Sequence, residues 1–268
     1  MSDFRDIRFD RPDATIARIT LARPKQMNAY TTRMCEELVQ AIETYLRDDA
    51  LRVLILTGAG RAFCSGGDVS GADEAHDDLM KAQLSHAREM RDGMHRVIKA
   101  LQALDKPVIA MINGPAVAGG LTLALACDIR IAASNARLGD TSGKFGLLPD
   151  EGGAWLFPRM MRLDRALKMT MLAEIYDAPK ALELGLVTEV VPEDELAART
   201  MTLARDLAAK APLAIRLAKA MMHRGLNQTL DESLGDAALS VMIANRSQDV
   251  REGVKAFFEK RQPKFEGR

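Results

Sequence analysis

Apolar residues fall at alternate or nearly alternate positions over Asp6–Asp10 and again over Thr15–Leu21. This predicts two antiparallel strands around a turn at Arg11-Pro12-Asp13. A helical period follows: Thr31 or Thr32 is placed to cap a helix whose Met34, Leu38, Ile42 and Leu46 recur at i, i+4, i+8 and i+12. Arg52–Thr57 carries the run VLIL, a buried strand ending at Gly58, and Ala59–Gly71 is a Gly- and Ser-rich loop. Asp73–Leu104 reads as one long polar helix with an apolar side at Leu84, Met94, Val97, Ile98 and Leu101.

Pro107–Ile112 is a short, fully apolar strand, broken by Asn113, Gly114 and Pro115. Gly119-Gly120 opens an apolar helix, Leu121–Ala126, Asp128 closes it, and Ile129–Ala132 is another buried strand. Ser134–Pro158 shows neither period and reads as a long irregular stretch, which inside a compact domain is more often functional than not. Leu163–Ala173 is a helix and Val187–Val191 a last strand. The remainder reads as four helices, Glu193–Lys210, Pro212–Arg224, Leu230–Asn245 and Asp249–Lys260, with Gly225 as the residue just past the second. Strand and helix alternate through the first half, so the fold class is α/β with parallel pairing. The chain divides into a core over residues 1–192 and a helical region over 193–268 that packs on the core and on neighbouring subunits.

Composition removes several functions from consideration. The 268 residues carry 37 Lys+Arg and 37 Asp+Glu, so no net field favours nucleic acid or an anionic membrane. Aromatics are 4%, a poor supply for stacking on bases. No apolar run is long enough to span a bilayer, and the N-terminus MSDFRDIRFD lacks a signal-peptide core. Cys35, Cys64 and Cys127 are widely spaced, with neither a disulfide framework nor metal-ligand spacing. A cytoplasmic protein with no metal site and no nucleic-acid or membrane partner is the expectation.

Two glycine pairs carry the candidate chemistry. Gly66-Gly67 follows the strand at Val53–Leu56 as Gly119-Gly120 follows the strand at Val108–Ile112. Either pair alone is equally a tight turn. Together, two main-chain N–H groups from separate loops are what a site for a negatively charged oxygen requires, and the helix after Gly119 adds its dipole. Asp150 and Glu151 sit in GLLPDEGG, where a carboxyl in an apolar loop has its pKa raised and becomes a general acid/base; a solvated turn is the other reading. Cys64-Ser65 lacks a partnering histidine loop and reads as packing. His76, His86, His95 and His223 read as surface residues, and Asp128 as a hydrogen-bonded structural acid.

The segments ARPKQMNAY, ILTGAGRAFCSGGDVSG, INGPAVAGGLTLALACDIRIAA, FGLLPDEGGAWLFPR, ALELGLVT and REGVKAFFEKRQPKF, in that order, resemble the enoyl-CoA hydratase/isomerase (crotonase) superfamily. The group nearest in pattern is the ring-1,2-epoxyphenylacetyl-CoA isomerase type. The resemblance implies a spiral of ββα units over residues 1–192 and a C-terminal helical region that builds a homotrimer or a dimer of trimers. It implies an acyl-CoA thioester substrate, with coenzyme A as part of that substrate and no separate cofactor. The oxyanion donors carry over to the N–H groups of Gly67 and Gly119. The CoA contacts carry over to Lys25, Met27, the loop through Ala62, Cys64, Ser65, Gly66, Asp68 and Val69, and to Phe257 and Lys260 of this or a neighbouring subunit. The two glutamates of family hydratases fall on Thr122 and Ser142, whereas Asp150 matches the acid of the phenylacetate-type isomerases. The expectation is an isomerase that uses Asp150, through an enolate. The alternatives are a 2-enoyl-CoA hydratase that uses Glu151 and a non-catalytic acyl-CoA-binding protein.

Overall fold

A computed structural model describes residues 4–68 and 85–267. Within them the apolar runs become β1 (Ile7–Asp13), β2 (Ile16–Leu21), β3 (Val53–Gly58), β4 (Val108–Ile112), β5 (Ala116–Val117), β6 (Ile129–Ala133), β7 (Arg137–Gly139), β8 (Ile175–Asp177) and β9 (Glu189–Val191). The larger sheet has the order β1-β2-β3-β4-β6-β9, and β5-β7-β8 form a smaller one. Only β1 and β8 run antiparallel to their neighbours.

The helices are α1 (Thr32–Arg47), α2 (Ser85–Asp92), α3 (Met94–Ala103), α4 (Gly119–Leu125), α5 (Gly153–Met160), α6 (Leu163–Leu172), α7 (Ala178–Glu183), α8 (Leu196–Ala208), α9 (Pro212–Gly225), α10 (Leu230–Ala244) and α11 (Gln248–Phe258). Leu54, Leu56, Val108, Ala110 and Ile112 face a core shared with α1, α3 and α4. Ile16, Val53, Ile55, Ile109 and Ile131 face the opposite way, onto Leu196, Ala204 and Ala208 of α8. Burial on both faces is why β3 and β4 read as continuous apolar runs rather than alternating ones. The helices after 192 pack on the core: α8 covers one face of the large sheet, and α9 reaches Asp105 and Asp128 through Arg216 and Lys219.

The spiral is visible in how the second strand of each unit is reduced. After β3, Cys64 forms a parallel bridge with Ala116 of β5, and β5 in turn pairs with β7. After β2, Tyr30 forms a parallel bridge with Gly67. Each turn of chain thus runs from a strand of the large sheet, through a rung of this second ladder, into a helix. Residues far apart in sequence meet on adjacent rungs.

Several expected elements differ from those observed. The first turn lies at Ala14-Thr15, because β1 continues through a register irregularity between Asp10 and Asp13; Pro12 is tolerated there on an edge strand. Leu46 is exposed, since three steps of four residues rotate it about 120° from Met34, and Tyr45 takes the buried position. The long polar helix is interrupted at Gly93, and its part at 73–84, with Leu84, lies outside the described residues. The stretch Ser134–Pro158 holds β7, a 3₁₀ turn at Ser142–Phe145 and most of α5, with Pro158 inside that helix. Gly225 is the last residue of α9 rather than a left-handed residue beyond it.

Candidate active site

The site is assembled by a knot between two loops. Met27 and Asn28 both adopt left-handed backbone (φ 50° and 56°), which folds the segment after β2 back on itself. The buried Asn28 side chain accepts from Arg23 N–H at 3.0 Å and donates to the carbonyls of Ala59 and Ala62 at 2.9 and 2.8 Å. Ser65 N–H donates to Met27 O at 3.1 Å, and the Arg23 guanidinium holds Asp68 at 2.7 Å. Lys25, Met27, Ala62, Cys64, Ser65, Gly66 and Asp68 therefore share one junction, with Lys25 exposed and Ala62 and Cys64 buried. Val69 lies outside the described residues. Phe257 and Lys260 are not part of this junction: they lie at the end of α11, both exposed, with Phe257 packed edge-on against Phe258.

On the Tyr30 rung, Tyr30 N–H donates to Gly66 O at 2.9 Å and Asp68 N–H donates to Tyr30 O at 3.0 Å. Successive residues of an extended strand point their amides to opposite sides, so the Gly67 N–H is directed away from that ladder. On the neighbouring unit, Ala118 precedes α4 at φ 49°, ψ −126°, a costly conformation for a residue with a side chain. Ala118 N–H is tied to Gly139 O at 3.0 Å, and Gly119 begins the helix, where N–H groups have no intrahelical acceptor. The two loops touch: a Cβ built on Gly66 would lie 3.6 Å from Gly119 N. Gly120 must also be glycine, because its Cβ would lie 2.1 Å from the Cys64 carbonyl oxygen.

A carboxylate set against Gly119 belongs to Glu151. A Cβ on Gly119 would meet Glu151 Oε1 at 2.5 Å and Tyr30 Cε1 at 2.7 Å. Glu151 is buried; its Oε1 accepts from the Tyr30 hydroxyl at 2.8 Å, and its Oε2 has no hydrogen-bond partner among the described residues. Asp150 is half-buried, and its main-chain carbonyl accepts from His95 Nε2 at 2.7 Å. The chain enters α5 immediately afterwards through Gly152 at φ 118°. Burial pushes the Glu151 carboxyl above its ordinary value, the charges of Asp150 and Asp140 add to the rise, and the Tyr30 hydrogen bond opposes it.

Two further buried oxygens belong to residues close by. Asp140 follows Gly139 and accepts from Ser142 N–H through Oδ1 at 3.0 Å; among the described residues its Oδ2 and Thr122 Oγ1 have no hydrogen-bond partner. Thr122 Cγ2 lies 3.8 Å from where a Cβ on Gly152 would be. Burial pushes the Cys64 thiol up to about 12, which removes it as a nucleophile. Among the described residues no group of His, Cys, Asp or Glu could hold a metal, and no helix is long and apolar enough to cross a membrane.

Tyr30, Asp140 and His95 were not distinguished by sequence. Tyr30 and Glu151 are 121 positions apart, so no local spacing could have joined them. His95 and His223 are partly buried with partners, His223 beside the Asp128 carboxylate, rather than free surface residues. Asp128 has the structural role expected of it, accepting from Val108 N–H and from Lys219.

Residues 11–268 match the family model for enoyl-CoA hydratase/isomerase. The chain belongs to that family. It is 36% identical over 250 residues to the 1,2-epoxyphenylacetyl-CoA isomerase of Escherichia coli (strain K12), covering 93% of this chain and 94% of the relative. It is 34% identical over 251 residues to the crotonyl-CoA hydratase of Syntrophomonas wolfei, covering 93% and 94%. A crystal structure of an enoyl-CoA hydratase from Bacillus anthracis superposes with a TM-score of 0.92 at 32% identity, covering 98% of this chain and 100% of that one. The α/β architecture is thus the crotonase fold, and the protein is an enoyl-CoA hydratase/isomerase family enzyme.

Proposed function

We propose that this family member is an isomerase of acyl-CoA thioesters, shifting a double bond or rearranging a ring epoxide to its oxepin isomer, with Glu151 as acid/base. One observation carries the reading: a buried carboxylate stands against the first glycine of α4, with one oxygen held by Tyr30 and the other without a partner among the described residues. In a double-bond shift the Glu151 carboxylate takes a proton from the α-carbon. The C–H electron pair moves into the thioester as an enolate, and the same carboxyl returns the proton to the γ-carbon. The enolate oxygen lies between the N–H groups of Gly67 and Gly119, donors fixed before the charge develops.

Lys25, Met27 and the Ala62–Asp68 loop bind the CoA portion, joined by Phe257 and Lys260 of this or another subunit. CoA enters as part of the substrate, and no separate cofactor takes part. The enzyme assembles as a trimer or dimer of trimers, which a sedimentation mass of three or six chains would support and a single-chain mass would contradict.

One observation favours a hydratase as the second reading. Asp140 is a buried acid that raises the Glu151 carboxyl by its charge, so a second carboxylate is available to hold water. Two substrates separate the readings. With a 3-enoyl-CoA the isomerase forms the conjugated thioester and its absorbance rises, while crotonyl-CoA keeps its absorbance. Loss of the crotonyl-CoA absorbance faster than 3-enoyl-CoA is isomerised would overturn the isomerase reading.

A further inference from the structure

Tyr30 touches both glycine loops and the acid. Its main chain is bonded to Gly66 and Asp68 on either side of Gly67. Its ring lies 3.4 Å from where a Cβ on Gly67 would be, and 2.7 Å from where a Cβ on Gly119 would be. Its hydroxyl donates to Glu151 Oε1 at 2.8 Å, and both side chains are buried. One aromatic ring thus spans the two glycines and ends on the acid.

We propose that Tyr30 is the positioning residue for the acid of this site: it pins Oε1 of Glu151 and so presents Oε2 as the atom that takes and returns the substrate proton. The inference rests on the reading of Glu151 given above. A carboxylate rotating freely about its last bond would present either oxygen, and its distance to the α- and γ-carbons would vary. The Tyr30 hydroxyl removes that freedom, and its reach is set by a ring wedged between the two loops that carry the N–H donors.

The same bond serves the protonation cycle. A buried carboxylate is driven toward its neutral form, in which it cannot accept a proton. A donor on Oε1 favours the anion and keeps the base available. The hydroxyl remains a donor throughout, since burial and then the Glu151 charge raise its own pKa. The other groups acting on this pair are Asp140, Asp150, Cys64, Cys35 and the main chain of Glu151 itself; His95 reaches the Asp150 carbonyl from α3. None of these supplies Glu151 with another side-chain donor among the described residues.

Tyr30→Phe keeps the ring and deletes the bond. A hydrogen bond to a charged group is worth enough that kcat should fall about 10–100-fold, with KM for the thioester little changed. The acidic limb of kcat against pH should move upward by about one to two units, because the anion has lost its donor. A merely structural tyrosine would leave that limb in place, and an unmoved limb overturns the proposal. Glu151→Gln separates the two claims. If it retains parental turnover, the assignment of the acid fails. If it is inactive while Tyr30→Phe keeps the parental pH profile, only the positioning role fails. Should Tyr30→Phe not fold, 3-fluorotyrosine labelling of a Tyr45→Phe/Tyr176→Phe background strengthens the one remaining tyrosine hydroxyl as a donor. It should move the limb downward, and no movement there also overturns the proposal.

Discussion

Glu151 has a consequence for stability that can be measured apart from its chemistry. Its carboxyl is raised above 4.5 in the folded chain by burial, so the native state holds its proton more tightly than the unfolded state does. Between 4.5 and the raised native value the unfolded chain has already lost that proton. Stability therefore falls as pH rises through this window, and the deficit persists above it. Glu151→Gln should lack the decline, so denaturant unfolding should show the variant gaining on the parent as pH rises from about 4 to neutrality. A gap that does not change with pH would contradict a buried, raised carboxyl. At this scale the sequence showed that an acid sits in the GLLPDEGG loop but not which one turns inward. The Glu151 carboxyl is held by Tyr30, which arrives from another turn of the spiral.

The elements around the site were legible where their pattern is long enough to have a period. β3, β4 and β6 stand out as apolar runs because both faces of the large sheet are covered. β5 and β8, with two and three residues, are too short to show alternation, and the second ladder was invisible for that reason. That ladder is what brings α4 against the Gly66-Gly67 loop, and Gly120 is where the approach is closest. A Cβ there would lie 2.1 Å from the Cys64 carbonyl oxygen and 2.7 Å from its carbon, both main-chain atoms that cannot swing aside. Gly120→Ala should cost about 3 kcal/mol, the upper part of the usual range for overpacking, and lower the melting temperature by about 6–12 °C. Gly235→Ala on α10, where an added Cβ meets nothing within 4 Å, is the control and should not lower it. Equal melting of the two variants would mean that the loops are not packed as closely as the structure has them.

For the whole molecule, the ββα spiral and the family came from ordered motifs along most of the chain, not from periodicity. The helical region read from 193 onward begins with α8, whose apolar face lies on the large sheet. Met171 and Leu172 on α6, Met222 and Leu226 on α9 or at its end, and Phe257 and Phe258 on α11 are large apolar side chains left exposed in the single chain. Their exposure supports the proposed assembly of copies. The central claim concerns one carboxylate between two loops, and turnover of a 3-enoyl-CoA by Glu151→Gln and Asp150→Asn, measured beside binding of the same thioester, tests it most directly. Removing a general base costs about 10²–10⁴ in rate, so Glu151→Gln should lose that much kcat while still binding the thioester. Asp150→Asn should stay within about tenfold of the parent. Parental turnover by Glu151→Gln, or the large loss appearing in Asp150→Asn instead, would contradict the account.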